Sequence, residues 1–289
     1  MVALDLLDSA NITGEILEEN LLNAGAKFVE VQTVAGKKVS TDFVRVTIPG
    51  YQGKLNGGDA PTVGVIGRLG GIGARPKKIG LVSDGDGAVI AVACALKLLD
   101  MKKKGDLLKG DVVVVTHVCP NAETKEHYPV QYMSAPLDAH TMSVTEQIPE
   151  ADAVLSIDTT KGNRILNVKG FAITPTVKEG YILPVSNDLL TIMEIVSGSA
   201  PVVLPLCQQD ITPYANKLWH LNSIMQPSTV TDAPVVGVAI TTETSVPGSS
   251  TGATHIVDLE QAGRFVIEVA KHFSAGELEF YNKEEFIKL

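Results

Sequence analysis

Asp84 and Asp86 stand two residues apart in Ser83-Asp84-Gly85-Asp86-Gly87, and a third acid, Asp158, closes the apolar run Ala153 to Ile157. Glycines at 85 and 87 free the backbone to turn two neighbouring carboxylates toward one cation, and hard divalent ions take carboxylate oxygens. A carboxylate at the end of a buried strand is costly unless a cation or a donor satisfies it. Asp84, Asp158 and Asp86 are therefore candidate ligands for one divalent metal, zinc, manganese or cobalt. The same acids would also serve as caps or dipole partners of the helices that follow them. His117 and Cys119, at i and i+2 in a valine-rich run, share a strand face, where they would ligate a soft ion or pair as base and nucleophile. Glu123, just beyond Pro120, and His255, at the end of VPGSSTGATH, are further candidate bases. The segment GRLGGIGARPKK carries four glycines with Arg68 and Arg75, so its N–H groups and guanidinium groups would receive a substrate carboxylate. It has neither a Walker A spacing nor G-x-G-x-x-G, which argues against a nucleotide.

These residues need elements to bring them together. Ile79–Val82 and the valine run Val112–Val115 are predicted to be strands, with a helix over 88–99 between them that places Ala91, Ala95, Leu98 and Leu99 along one face. A strand, a crossover helix and a parallel strand form a right-handed unit, which sets both strand ends at one edge of the sheet. Ligands of open α/β sheets bind at that edge. Asp84 and Asp86 fall at the first strand end, with His117, Cys119 and Asn121 at the second. Asp158 and Asp210 reach the same edge by following later strands. Before this unit, Thr13 caps a helix over 14–23, residues 27–34 and 40–48 alternate as a hairpin, and after a glycine-rich loop over 51–60 Pro61 begins the apolar strand TVGVIG. After it, strands are expected over 153–157, 167–177, 202–207 and 234–242, with helices over 187–196, over 218–225 and from Asp258 onward. Residues 120–150, with four prolines, are predicted to be a long loop acting as a flap or oligomer contact. Alternating strands and helices imply a three-layer αβα sandwich with a mixed, mostly parallel sheet, formed as a single α/β domain over 1–289 with 1–50 as its opening helix and hairpin.

Composition narrows the function. With 289 residues, 45% hydrophobic and 20% charged, the chain can bury a full core. A net charge of -9 argues against a nucleic-acid groove. No apolar run approaches the roughly 20 residues that span a bilayer, and the acidic N-terminus is unlike a signal peptide. Three cysteines, Cys94, Cys119 and Cys207, lack paired spacing, which fits a reducing, cytoplasmic setting. Exposed strand edges and proline-rich loops point to a homo-oligomer.

Along its full length the chain resembles the domain of unknown function 1177 family, through STDFVRVTIPG, GRLGGIGARPKKIG, VSDGDGA, SIDTTKGNR, ITPTVKEGYIL, QDITPY, LNSIMQP and APVVGVAI. That family supplies no activity. More distantly, SDGDGAVIAVACALKLL, AVLSID and ATHIVDLEQAGRFVIEVAKHF are similar to segments of the co-catalytic zinc aminopeptidases related to glutamyl and leucyl aminopeptidases. That resemblance implies their phosphorylase/hydrolase-like fold, with Asp84 at the bridging-ligand position and Asp158 at the next ligand. It also shows departures: Arg68 stands where a first ligand His is expected, Pro120 and Asn121 where a Glu pair is expected, and Thr251 at a final His. Two readings follow. One is a hydrolase-like enzyme acting on a small amide or peptide-like metabolite with one divalent metal, with His117 or His255 as ligand or base. The other is a catalytically inactive aminopeptidase-fold binding or assembly protein in which Arg68 replaces the metal and pairs with Asp84 or Asp158. A cysteine-dependent acyl transferase using Cys119 and His117 is a third.

Overall fold

The structure is a computed structural model and describes residues 1–68, 70–126, 132–160, 162, 166–206, 223–244 and 254–289. In chain order the helices are α1 (Val2–Leu7), α2 (Gly14–Asn23), α3 (Asp86–Lys103), α4 (Ala139–Thr145), α5 (Asn187–Ser197), α6 (Ile256–Ala275) and α7 (Lys283–Phe286). The strands are β1 (Phe28–Ala35), β2 (Ser40–Ile48), β3 (Val63–Gly67), β4 (Gly71–Ile72), β5 (Val112–Cys119), β6 (Thr124–Lys125), β7 (Tyr132–Met133), β8 (Ala153–Thr159), β9 (Gly170–Ile173), β10 (Thr176–Lys178), β11 (Tyr181–Leu183) and β12 (Val235–Thr241).

One sheet organises the molecule, in the order β1-β2-β5-β3-β8-β12-β10-β11, with β4 beside β5 and β9 beside β12. Its centre, β5-β3-β8-β12, is parallel, while β2, β9 and β10 run against it. The centre is buried on both sides, which is why Val112–Val115 and Val235–Val238 are continuous apolar runs rather than alternating ones. Odd residues of β3 and β8 (Val63, Val65, Leu155, Ile157) pack with α3 and α6 in the larger core. Ile66, Val113, Val115, Val154 and Ala239 point the other way, into a smaller core closed by a 3-10 helix over Ser223–Thr229. The α/β class and the mixed, mostly parallel sheet match the expectation.

Five of the expected elements differ. Residues 79–82 are not a strand, and β3 and β4 are the strands that precede α3: Ile79 is 96% exposed, and Gly80, at φ +90°, breaks the extended path. Asp84 accordingly follows a turn and sits in a short 3-10 segment, Ser83–Gly85, that packs against β8. Residues 120–150 are not one irregular loop, because Asp138 caps α4 by accepting from Thr141 N–H, and the prolines at 136 and 149 bracket that helix instead of breaking it. Residues 167–177 split into β9 and β10, and the expected strand from 202 contributes only a bridge at Val203. Of the helix expected over 218–225, the described part, from Ser223, is 3-10, with Pro227 inside it.

Candidate functional site at the strand ends

Three of the sequence-derived candidates lie on one face of the sheet. β3 pairs Ile66 with Val115 of β5 and with Ser156 of β8. Side chains alternate along strands, so two residues further on Arg68 comes level with His117 and Asp158, all facing the smaller core. All three are buried, Arg68 at 2% exposure and the other two at 0%.

The charge of Arg68 is met by an acid that the sequence reading missed. Arg68 Nη1 donates to Glu146 Oε2 at 2.5 Å, and Nη2 donates to Gln226 Oε1 at 2.5 Å. The other oxygen of the same carboxylate lies 3.1 Å from His117 Nδ1. Glu146 is the C-cap residue of α4, and Gln226 comes from the 3-10 helix, so two elements outside the sheet deliver the partners of one sheet residue. Burial pushes the Glu146 carboxyl up, but the Arg68 charge and the His117 hydrogen bond outweigh it, leaving the carboxyl below its usual range. Arg68 thus pairs with Glu146, not with Asp84 or Asp158 as the second reading expected.

Asp158 is bound separately: the Ser223 hydroxyl donates to Oδ2 at 2.5 Å, and Thr159 N–H donates to Oδ1 at 2.7 Å. Asp86 opens α3, is 1% exposed, and accepts from Thr254 Oγ1 at 2.7 Å. Gly87 lets this helix start approach the strand ends, since a Cβ there would fall 2.5 Å from Ile157 O and 2.8 Å from Arg68 O. Among the described residues no group of three or more His, Cys, Asp and Glu is arranged to hold a metal ion. The described donors do not fit one, because Asp158 and Asp86 already accept from hydroxyls and the buried cation Arg68 is committed to Glu146, the partner of the His117 ring.

The remaining candidates are dispersed. Arg75 binds the end of α1, through the Asp8 carbonyl and an ion pair of 3.6 Å to its carboxylate. Glu123 is 40% exposed and bonded to Lys38 at 2.5 Å, a contact that holds its carboxyl below the usual range. His255 is exposed and is the N-cap residue of α6, without a capping side-chain bond. Asn121 is exposed and bridges Ala74. Cys119 packs among Ile72, Ala74, Val82, Ala122 and Met133, and burial pushes its thiol up to about 11, which corrects the reading of a thiolate nucleophile. Asp210, Thr251 and Cys207 lie outside the described residues.

The profile of a family described as protein of unknown function, DUF1177, matches residues 32–289, and the chain belongs to that family. No curated protein matches it. Two crystal structures of LapA from Legionella pneumophila, one of them described as an aminopeptidase, are similar at 13% and 14% identity with a TM-score of 0.48. They align over 96% of this chain, which spans 66% and 71% of the two LapA chains. No helix among the described residues is long and apolar enough to cross a membrane.

Proposed function

We propose that this member of the DUF1177 family is a binding protein for a small amide or peptide-like metabolite at the C-terminal rim of its parallel strands. It works without a metal, and the guanidinium of Arg68 supplies the fixed positive charge. The observation that carries this reading is the buried pair of Arg68 and Glu146, with His117 on the second carboxylate oxygen. A guanidinium paired with a buried carboxylate neutralises it as an ion would, but it has no open coordination position and cannot activate water as a metal does. A cytoplasmic setting belongs to the same reading.

The test is metal analysis of protein purified without chelator, followed by thermal melts with zinc, manganese and cobalt. The expected result is no stoichiometric metal and no stabilisation by any of the three. The competing reading, a hydrolase holding one ion between Asp84, Asp158 and Asp86 with His117 or His255 as base, predicts one equivalent of metal that is lost in Asp84→Asn. That result would replace the binding reading.

A further inference from the structure

The sheet has a second concave surface, apart from the strand-end site. Along β1 and β2, Val29, Val31, Val44 and Val46 pack into the larger core with α2. The alternate residues, Phe28, Glu30 and Gln32 of β1 with Phe43, Arg45 and Thr47 of β2, point the other way. There, with Val113 and Val115 of β5 and with Pro149, they line a depression of about 660 Å³. That is the size of a small-ligand pocket, roughly 300–1,000 Å³. None of Arg68, Glu146 and His117 lines it, so it is a separate site.

The charges that line the depression decide what can enter it. Arg45 donates through Nη1 to Gln147 O at 3.2 Å and through Nη2 to Glu150. Lys54 is paired with Asp152 at 2.6 Å. The Asp111 carboxylate accepts from the N–H groups of Gly50 at 2.9 Å and Leu55 at 3.0 Å. Glu30 stands directly opposite Arg45 in the strand register, yet Arg45 is committed elsewhere, and Glu30 has no ion pair among the described residues. The uncommitted charge is therefore negative, and its complement is a cation.

The neighbours of Glu30 are aromatic. Phe28 lies two residues back on the same strand face, and Phe43, opposite Gln32, is the diagonal neighbour of Glu30 on β2. Diagonal neighbours across an antiparallel pair are roughly 7–8 Å apart, within reach of an aromatic side chain. A carboxylate flanked by two phenyl rings suits a cation, which the acid attracts by charge and the ring faces by their quadrupole. We propose that this depression binds an organic ammonium ion, its charged group at Glu30 between Phe28 and Phe43 and its apolar body over Val113 and Val115. Thr62, level with Asp111 on the same face, also lines the depression. It is 1% exposed, and its hydroxyl has no partner among the described residues, which leaves a polar contact for the far end of a longer ligand. A hydroxyl both donates and accepts, so it sets no charge on that end.

The test is calorimetric titration of the wild-type protein with hexylamine, hexyltrimethylammonium, hexan-1-ol and hexanoate. The expected result is saturable binding of both cations, at least tenfold weaker binding of hexan-1-ol, and none of hexanoate. Glu30→Gln should lose at least tenfold in affinity for hexylamine. Phe28→Leu keeps an apolar side chain but removes the ring, so it should weaken hexyltrimethylammonium severalfold and leave hexan-1-ol unchanged. Glu194→Gln removes an exposed acid of α5 and should bind as wild type does. Glu30 and Phe28 are both exposed, so their variants should fold normally, and melting curves check this. Hexylamine that binds no tighter than hexan-1-ol or hexanoate, an affinity unchanged in Glu30→Gln, or an equal loss in Glu194→Gln overturns the proposal. Metal content at the strand ends decides the reading of that site and leaves this one untouched.

Discussion

At the scale of single residues, Glu146 matters most. It is fully buried and serves Arg68 and His117 at once. Breaking a buried pair by removing one partner costs about 3–5 kcal/mol, because the other charge is left uncompensated. Glu146→Leu and Arg68→Met should each destabilise by that order, while the double replacement Arg68→Met with Glu146→Leu should recover most of the loss. Urea unfolding of the four proteins measures this, and additive losses would mean that the two side chains do not act as a pair. The pH dependence has a definite sign. The folded carboxyl of Glu146 lies below its unfolded value, so its stabilisation is complete above the ordinary carboxyl range and disappears as pH falls through the lower folded value. Melting curves of wild type and Glu146→Gln should therefore lie apart at neutral pH and converge only in acid. The thiols give a second check. Burial raises Cys94 to about 12 and Cys119 to about 11, so neither should be labelled by a thiol reagent at pH 8 until the protein unfolds, as peptide mapping would reveal. Arg68, His117 and Asp158 were legible in the sequence, because each follows or ends an apolar run and strand ends converge. Glu146, Gln226 and Ser223 were not, since none follows an apolar run and their elements were masked by nearby prolines or by a misjudged helix type.

At the scale of elements, the site depends on α4 and on the close approach of α3. α4 has only seven residues, too few to persist without help, and its help is the Asp138 cap and its contact with the 3-10 helix. The signal for it was present in Asp138 with Thr141 three residues on, a capping pattern overlooked because four prolines suggested a loop. Asp138→Ala should cost about 0.5–2 kcal/mol and loosen Glu146 as well, so the loss should be smaller when introduced into Glu146→Gln. Equal losses in both backgrounds would show that the cap does not act through Glu146. Gly87→Ala probes the other support. Its Cβ would press on backbone oxygens of Ile157 and Arg68, which cannot rotate away, and overpacking of this kind typically costs about 1–3 kcal/mol. The long helices and the hairpin were readable from periodicity and caps. Residues 79–82 were not: an apolar run of four beside Gly80 has the composition of a strand, but only the sheet decides which run is paired, and β3 occupies that position.

At the scale of the whole molecule, the sheet ends in two unlike edges. β11 is three residues long, and short edges invite little pairing. β1 is eight residues long, pairs along its whole length with β2 and, among the described residues, on that side only, and carries neither the lysine nor the proline that usually blunts an edge. Phe28, Glu30 and Gln32 fall on one face of it, and Phe28 is 49% exposed. A net charge of -9 keeps copies apart at long range, yet β1 contributes only one carboxylate, so repulsion is weak where contact would occur. The homo-oligomer expected from the sequence should accordingly form through this edge. Light scattering after size exclusion should give a multiple of 30.6 kDa for wild type and a shift toward 30.6 kDa for Phe28→Lys combined with Gln32→Lys. Added salt should tighten the wild-type assembly slightly by screening the net charge, and should do less for the lysine variant, whose edge gains two cations. A wild-type mass of one chain at all concentrations would rule out the oligomer, and an unchanged assembly in the variant would move the contact away from β1.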